Sequence, residues 1–199
     1  MVVGFLIHSL DETQITYFSY FFSAHLNDEQ STKRQNLIIS QVYQNYDKKL
    51  QSFDLLQTNI ENNYSKQLME KSVGVGVFRV PESSLFQKPK VVVWKKVLNL
   101  CYTLILSPDE NRMAAQHFLK FFIQLLNEHF KNNTISSKPK LLLTKPEEVL
   151  ILIEKTIPNG NLIYANSFVV KNLRTEIEAT ILNKKKNLKD LETKKGIKK

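Results

Sequence analysis

The first ten residues, Met1 to Leu10, constrain the fold most, because they are apolar on both faces of an extended chain. Side chains alternate between the faces of a strand. Val3, Phe5 and Ile7 then share one face, and Val2, Leu6 and Leu10 share the other. A strand apolar on both sides needs cover on both, which predicts a central strand with helices above and below it. The polar break Asp11-Glu12-Thr13 is short, as in a hairpin. A second strand, rich in aromatic and β-branched residues, follows over about Gln14 to Ala24.

Between residues 29 and 50 the period changes. Ile38, Ile39, Val42, Tyr43, Tyr46 and Leu50 recur at steps of three and four, which predicts an amphipathic helix. Residues 51–71 lose that period and are rich in Asn, Gln, Glu and Ser, so they read as a polar insertion or long loop, with a weak helix around Leu68. Three strands come next. Val73, Val75 and Val77 alternate up to Val80, Lys90 to Lys96 is the second, and Val97 to Leu106 is the third, with Leu98, Leu100, Tyr102, Leu104 and Leu106 on one face. Gly74 and Gly76 lie within a strand and lack the third glycine of a phosphate loop, which predicts a bulge or a close approach to the backbone.

Ser107, Pro108 and Glu110 have the spacing of an N-cap, a first helical residue and a capping box. They open a long helix with the stripe Ala115, Phe118, Phe122, Leu125, Leu126 and Phe130. Thr144 and Glu147 suggest a second capping box, with Pro146 in the first turn, and that helix carries Val149, Ile153 and Ile157 to a stop at Pro158-Asn159-Gly160. A short extended piece, Leu162 to Ala165, leads to a last helix capped by Asn166 or Ser167, with Val170, Leu173, Ile177 and Ile181 in its stripe. The order β-β-α-β-β-β-α-α-α predicts the α+β class, a five-stranded antiparallel sheet between helical layers.

A chain of 199 residues suits one domain, expected over residues 1–182. Of the net charge of +9, six units fall in residues 183–199, where eight lysines face only Asp190 and Glu192. That segment is expected to be a disordered, solvated tail, and the nearly balanced body argues against a nucleic-acid binder. A single cysteine, Cys101, allows no disulfide framework and fits a reducing compartment. Neither a signal peptide nor a spanning segment nor a myristoylation signal is expected, so any membrane contact is expected through partners alone.

The search for chemistry is negative. His8, His25, His117 and His129 lack metal-ligand spacing, Asp109 and Glu110 are explained by helix capping, and Cys101 has no activating neighbour in the sequence. Lys95 and Lys96 are adjacent on a strand and point to opposite faces. Trp94 reads as a core or partner-interface anchor. No catalytic, metal or cofactor residue is expected, and the chain reads as a packing and binding module rather than an enzyme.

Several segments together resemble one family. Phe5-Leu-Ile-His-Ser-Leu10 resembles the opening strand of the small (sigma) subunits of vesicle-coat adaptor complexes. Val91-Val-Val-Trp-Lys-Lys-Val97 and Leu100-Cys-Tyr-Thr-Leu-Ile-Leu106 resemble their fourth and fifth strands. Asp109-Glu-Asn-Arg-Met113 and Leu126-Asn-Glu-His-Phe130 are similar to the ends of their long helix, and residues 157–167 to their closing corner. The central insertion, with Phe78-Arg79, Phe86-Gln87-Lys88-Pro89 and Trp94, resembles the fifth of these complexes in particular. The likeness spans residues 1–26 and 73–182.

The resemblance implies a longin-like fold in a heterotetramer with a large zeta chain as the closest neighbour and beta and mu chains beyond. It implies a cytoplasmic protein, peripheral on late endosomes and lysosomes, acting in retrieval towards the Golgi with spatacsin and spastizin. By the same resemblance Leu98, Leu100, Ile123, Asn132 and Asn133 would line a pocket for dileucine-type peptide signals, although Gln14 and Ile15 stand where a cation would meet the acidic part of the signal. The alternative in another class is a longin-type subunit of a GTPase exchange factor or tethering complex.

Overall fold

The computed structural model describes residues 1–11, 15–22, 29–57, 73–130, 139–163, 172–181 and 183. Five strands form one sheet: β1 (Val2–Ser9), β2 (Thr16–Phe21), β3 (Val75–Val80), β4 (Lys90–Val97) and β5 (Leu100–Leu106). Their order is β2-β1-β5-β4-β3, and every neighbouring pair is antiparallel. β1 is completely buried, as its two apolar faces require. On one face Phe5, Ile7, Val93, Tyr102 and Leu104 meet α2 (Arg112–His129), α4 (Pro146–Thr156) and the helical residues 172–181, here α5. On the other, Leu6, Val92, Trp94, Cys101 and Ile105 meet Ile38, Ile39 and Val42 of α1 (Ser31–Gln57).

Two residues of β1 sit on the faces opposite to those expected. Val2 packs with Phe5 and Ile7, while Val3 packs with Leu6 and Leu10. Against β5, Val2 pairs with Leu106 and Gly4 with Ile105, so β1 carries an extra residue there. Such a bulge shifts the alternation by one position, which a plain two-residue period cannot show.

α1 runs seven residues past the expected end and includes residues 51–57. Phe53 continues the buried side of α1 beyond Leu50, while Gln51 and Ser52 are exposed. The weak helix expected near Leu68 lies outside the described residues. Leu98 is not in a strand: Val97 pairs with Leu100, and Leu98 and Asn99 form the turn between β4 and β5. The other four residues of the β5 stripe face the core as expected. Val73 likewise precedes β3 rather than belonging to it.

α2 begins four residues after the expected cap. Asn111 is the N-cap, its Oδ1 accepting from the amides of Met113 at 3.0 Å and Ala114 at 3.1 Å. Ser107 to Glu110 instead form a turn, closed by the Glu110 amide on the Ser107 carbonyl at 3.1 Å, and the Glu110 carboxylate pairs with the Met1 amino group. Asn111→Ala is therefore expected to lower stability by about 1 kcal/mol. Ser107→Ala should cost clearly less in the same urea titrations; the reverse order would restore Ser107 as the cap.

The stripe from Ala115 to Phe130 is buried as expected. Thr144 does not cap α4. Its hydroxyl donates to the Leu141 carbonyl at 2.8 Å, closing an extra single turn, α3 (Leu141–Thr144), and Lys145 takes the cap position without a side-chain bond. Pro146 does open α4, and the chain stops at a 3-10 turn, Pro158–Gly160, where Asn159 and Gly160 have φ of 51° and 79°. Val170 and both candidate caps of the last helix lie outside the described residues, but Leu173, Ile177 and Ile181 are buried on the sheet.

Candidate functional site

The residues expected to line a peptide pocket are placed apart in their exposure. Leu100 is fully buried in β5, and Ile123 is buried on α2 in the same core. Leu98 projects from the β4–β5 turn with 64% of its surface exposed. Asn132 and Asn133 lie outside the described residues. Trp94 is buried completely, and Asn45 Oδ1 accepts from its Nε1 at 3.1 Å. Tyr46 meets the indole edge-on at 6.1 Å and the Lys49 ammonium stands 5.7 Å from its centre. While α1 is in place, the ring faces the core and not a partner.

A cavity of about 330 Å³ opens where α2, α4 and α5 meet. Leu125, Leu152 and Ile177 form its apolar part, and Glu128, His129, Arg174 and Glu178 its polar rim. An ion pair and a histidine–carboxylate hydrogen bond border it. Arg174 binds Glu128, and His129 Nε2 lies 2.7 Å from Glu148 Oε2. His129 is in the last turn of α2 and Glu148 in the first turn of α4, where a carboxylate suits the helix end. The Lys145 ammonium lies 3.7 Å from Glu148. His129 and Glu148, 19 apart in sequence, carry no local pattern that could have announced their pairing.

The buried polar groups of the sheet are structural. His8 Nε2 lies 3.0 Å from Thr103 Oγ1, and its Nδ1 lies 2.8 Å from the Ser9 carbonyl. Thr103 also meets Cys101 Sγ at 3.7 Å. Burial pushes the Cys101 thiol up to about 12, far from a reactive thiolate. Burial likewise pushes the His8 imidazole down to about 4, against a smaller opposing effect of the Ser9 carbonyl. The unfolded chain binds this proton near pH 6.5 and the folded chain does not. The stability contributed by neutral His8 is complete above pH 6.5 and is lost as pH falls towards 4. Between pH 7 and pH 5 it should drop by about 2 kcal/mol, and His8→Gln should flatten that part of the profile in urea titrations.

A family profile described as AP-5 complex subunit sigma-1 matches residues 1–178, which takes in all five strands and both helical layers. The chain belongs to this family. As a member of the AP-5 sigma-1 family it is 31% identical to AP-5 complex subunit sigma-1 of Homo sapiens over 104 residues, 52% of this chain and 50% of that protein. Its identity to the Mus musculus protein of the same description is 32% over 56 residues, 28% of this chain and 33% of that one. The matched stretches thus span half or less of these curated relatives. In structure the chain is similar to one in the "Homology model of the full-length AP-3 complex in a stretched open conformation", with a TM-score of 0.52, 18% identity, and coverage of 96% of this chain and 99% of that one. The fold is α+β, as the order of elements led us to expect, and longin-like, as the family resemblance implied.

Proposed function

We propose that the chain is the non-catalytic small subunit of an AP-5-type heterotetrameric adaptor, holding a large zeta chain most closely and beta and mu chains beyond it. The observation that carries this reading is the family match over residues 1–178, which includes the sheet and the helices on both its faces. The proposed place of work is the cytoplasmic surface of late endosomes and lysosomes, in retrieval towards the Golgi together with spatacsin and spastizin. Among the described residues no helix is long and apolar enough to cross a membrane, which is compatible with a peripheral role.

One sheet edge suits the large chain. β2 is an edge strand with half-buried Tyr17, Tyr20 and Phe22 along or beside it, and α3 lies against it. Ile15 and Leu143, two of the large apolar side chains left exposed, flank that edge at 42% and 51%. Apolar surface beside an open edge is a natural partner site. Co-expression with a zeta chain should raise soluble yield and co-purify it, and Leu143→Asp should lower that recovery about tenfold without changing the thermal transition of the chain alone. A zeta chain that never co-purifies would overturn the reading.

A further inference from the structure

The β4–β5 turn holds a leucine where neither backbone nor burial favours one. Leu98 has a φ of 52°, a left-handed conformation, and is the most exposed large apolar side chain among the described residues. Two-residue turns that need positive φ ordinarily use Gly, Asn or Asp, and an aliphatic side chain there is strained. Backbone strain of this kind collects where a side chain has work outside the fold.

Four lysines gather at the same end of the sheet. Lys95 and Lys96 precede the turn on β4 and reach opposite faces: Lys96 stands 5.4 Å from the Tyr46 ring of α1, while Lys95 feels Lys120 of α2. Burial, and then that like charge, hold the Lys95 ammonium below its usual range. Lys49 donates to the carbonyl of Val75, the residue paired with Lys95. Among the described residues none of the four is salt-bridged to a carboxylate.

We propose that this hairpin tip docks on an anionic lipid surface, with Leu98 entering the acyl boundary and Lys49, Lys95, Lys96 and Lys120 lying over the headgroups. A protein-binding hot spot is typically built on Trp, Tyr and Arg. Among the described residues the tip offers instead one exposed aliphatic side chain, with Val97 and Tyr46 half-buried behind it, and lysines, flexible and strongly hydrated charges that suit mobile phosphates. Each lysine near an anionic bilayer adds about fivefold to binding, and an inserted leucine about tenfold. The proposal departs from the expectation that membrane contact comes only through partners, and it does not depend on which complex the chain joins.

Flotation of the full-length chain with phosphatidylcholine vesicles, with and without phosphatidylserine, tests it. The chain should float only with the anionic vesicles. Leu98→Asn should cut partitioning about tenfold while the Tm stays level or rises, because asparagine accepts the left-handed turn. Lys120→Gln, on the exposed side of α2, should cost about fivefold. Both losses should persist when Lys184, Lys185 and Lys186 are changed to Gln, which separates the tip from the basic C-terminal segment. Wild-type partitioning by Leu98→Asn, or loss of all binding on changing Lys184 to Lys186 alone, would overturn the proposal. So would a Leu98→Asn chain that still floats but no longer co-purifies an adaptor chain, since the tip would then be a protein contact.

Discussion

Phe122→Ala should lower the unfolding free energy by about 3–5 kcal/mol, the usual range for emptying an aromatic site in a packed core. Phe122 has no exposed surface, and its ring meets Phe5 edge-on at 4.9 Å and stacks near Phe118 at 5.9 Å. Those contacts tie α2 to the central strand. The space left by the ring is bounded by β1 and by the helix itself, so it can collapse only in part. Such a loss is a large share of the roughly 5–15 kcal/mol that stabilises a domain. Lys120→Ala, two residues away on the exposed side, should cost no more than about 0.5 kcal/mol. Urea unfolding of the purified chain ranks the two, and the opposite ranking would mean that α2 presents another face to the sheet.

Gly76→Ala is expected to be nearly as costly, for the opposite reason. Gly76 pairs with Trp94 across β3 and β4, and a Cβ built on it would lie 2.3 Å from the indole. The indole cannot simply retreat, because Asn45 holds its Nε1 and Tyr46 packs against it. Overpacking at a fixed ring should cost about 3 kcal/mol. Trp94 is the only tryptophan of the chain, so its fluorescence reports the site directly. A red-shifted folded spectrum together with a lower urea midpoint is the expected result. Unchanged stability and emission would show that the ring has room to move.

The large elements were legible because each had a physical requirement that the sequence states openly. β1 needed cover on two faces and has it. The stripe of α2 and the Pro158-Asn159-Gly160 stop match the reading, whereas of the two glycines Gly74 precedes β3 and Gly76 marks no bulge but the close approach of an indole side chain. What escaped were competitions between two templates that fit the same residues. Ser107-Pro108-Asp109-Glu110 satisfies both a capping box and a turn, and Asn111, a better-placed acceptor, decides in favour of the turn. Thr144 can cap the next helix or close its own turn, and it does the second. The bulge at Val3 leaves no periodic trace at all, and α1 runs on past Leu50, the last residue of the apolar period read for it.

The site was less legible than the fold. Leu98 and Leu100 look alike at a spacing of two, yet one is a turn tip and the other is core, because the turn falls between them. Trp94 was left between core and interface, and what covers it is α1, about fifty residues earlier in the chain. The cavity beside His129 and Glu148 arises from three helices meeting, which no single segment announces.

The position of β1 next to β5 also sets a timetable for synthesis. β1 emerges from the ribosome first, but the strand that completes its pairing follows about a hundred residues later. At about 5–20 residues per second, that interval lasts about 5–20 s. Throughout it a segment with two water-averse faces has β2 beside it and α1 over one face, while its other face stays bare, because the α2 cover comes later still. A nascent chain in that condition is a natural client for ribosome-associated chaperones, and early truncation would leave a product that aggregates rather than a smaller folded unit.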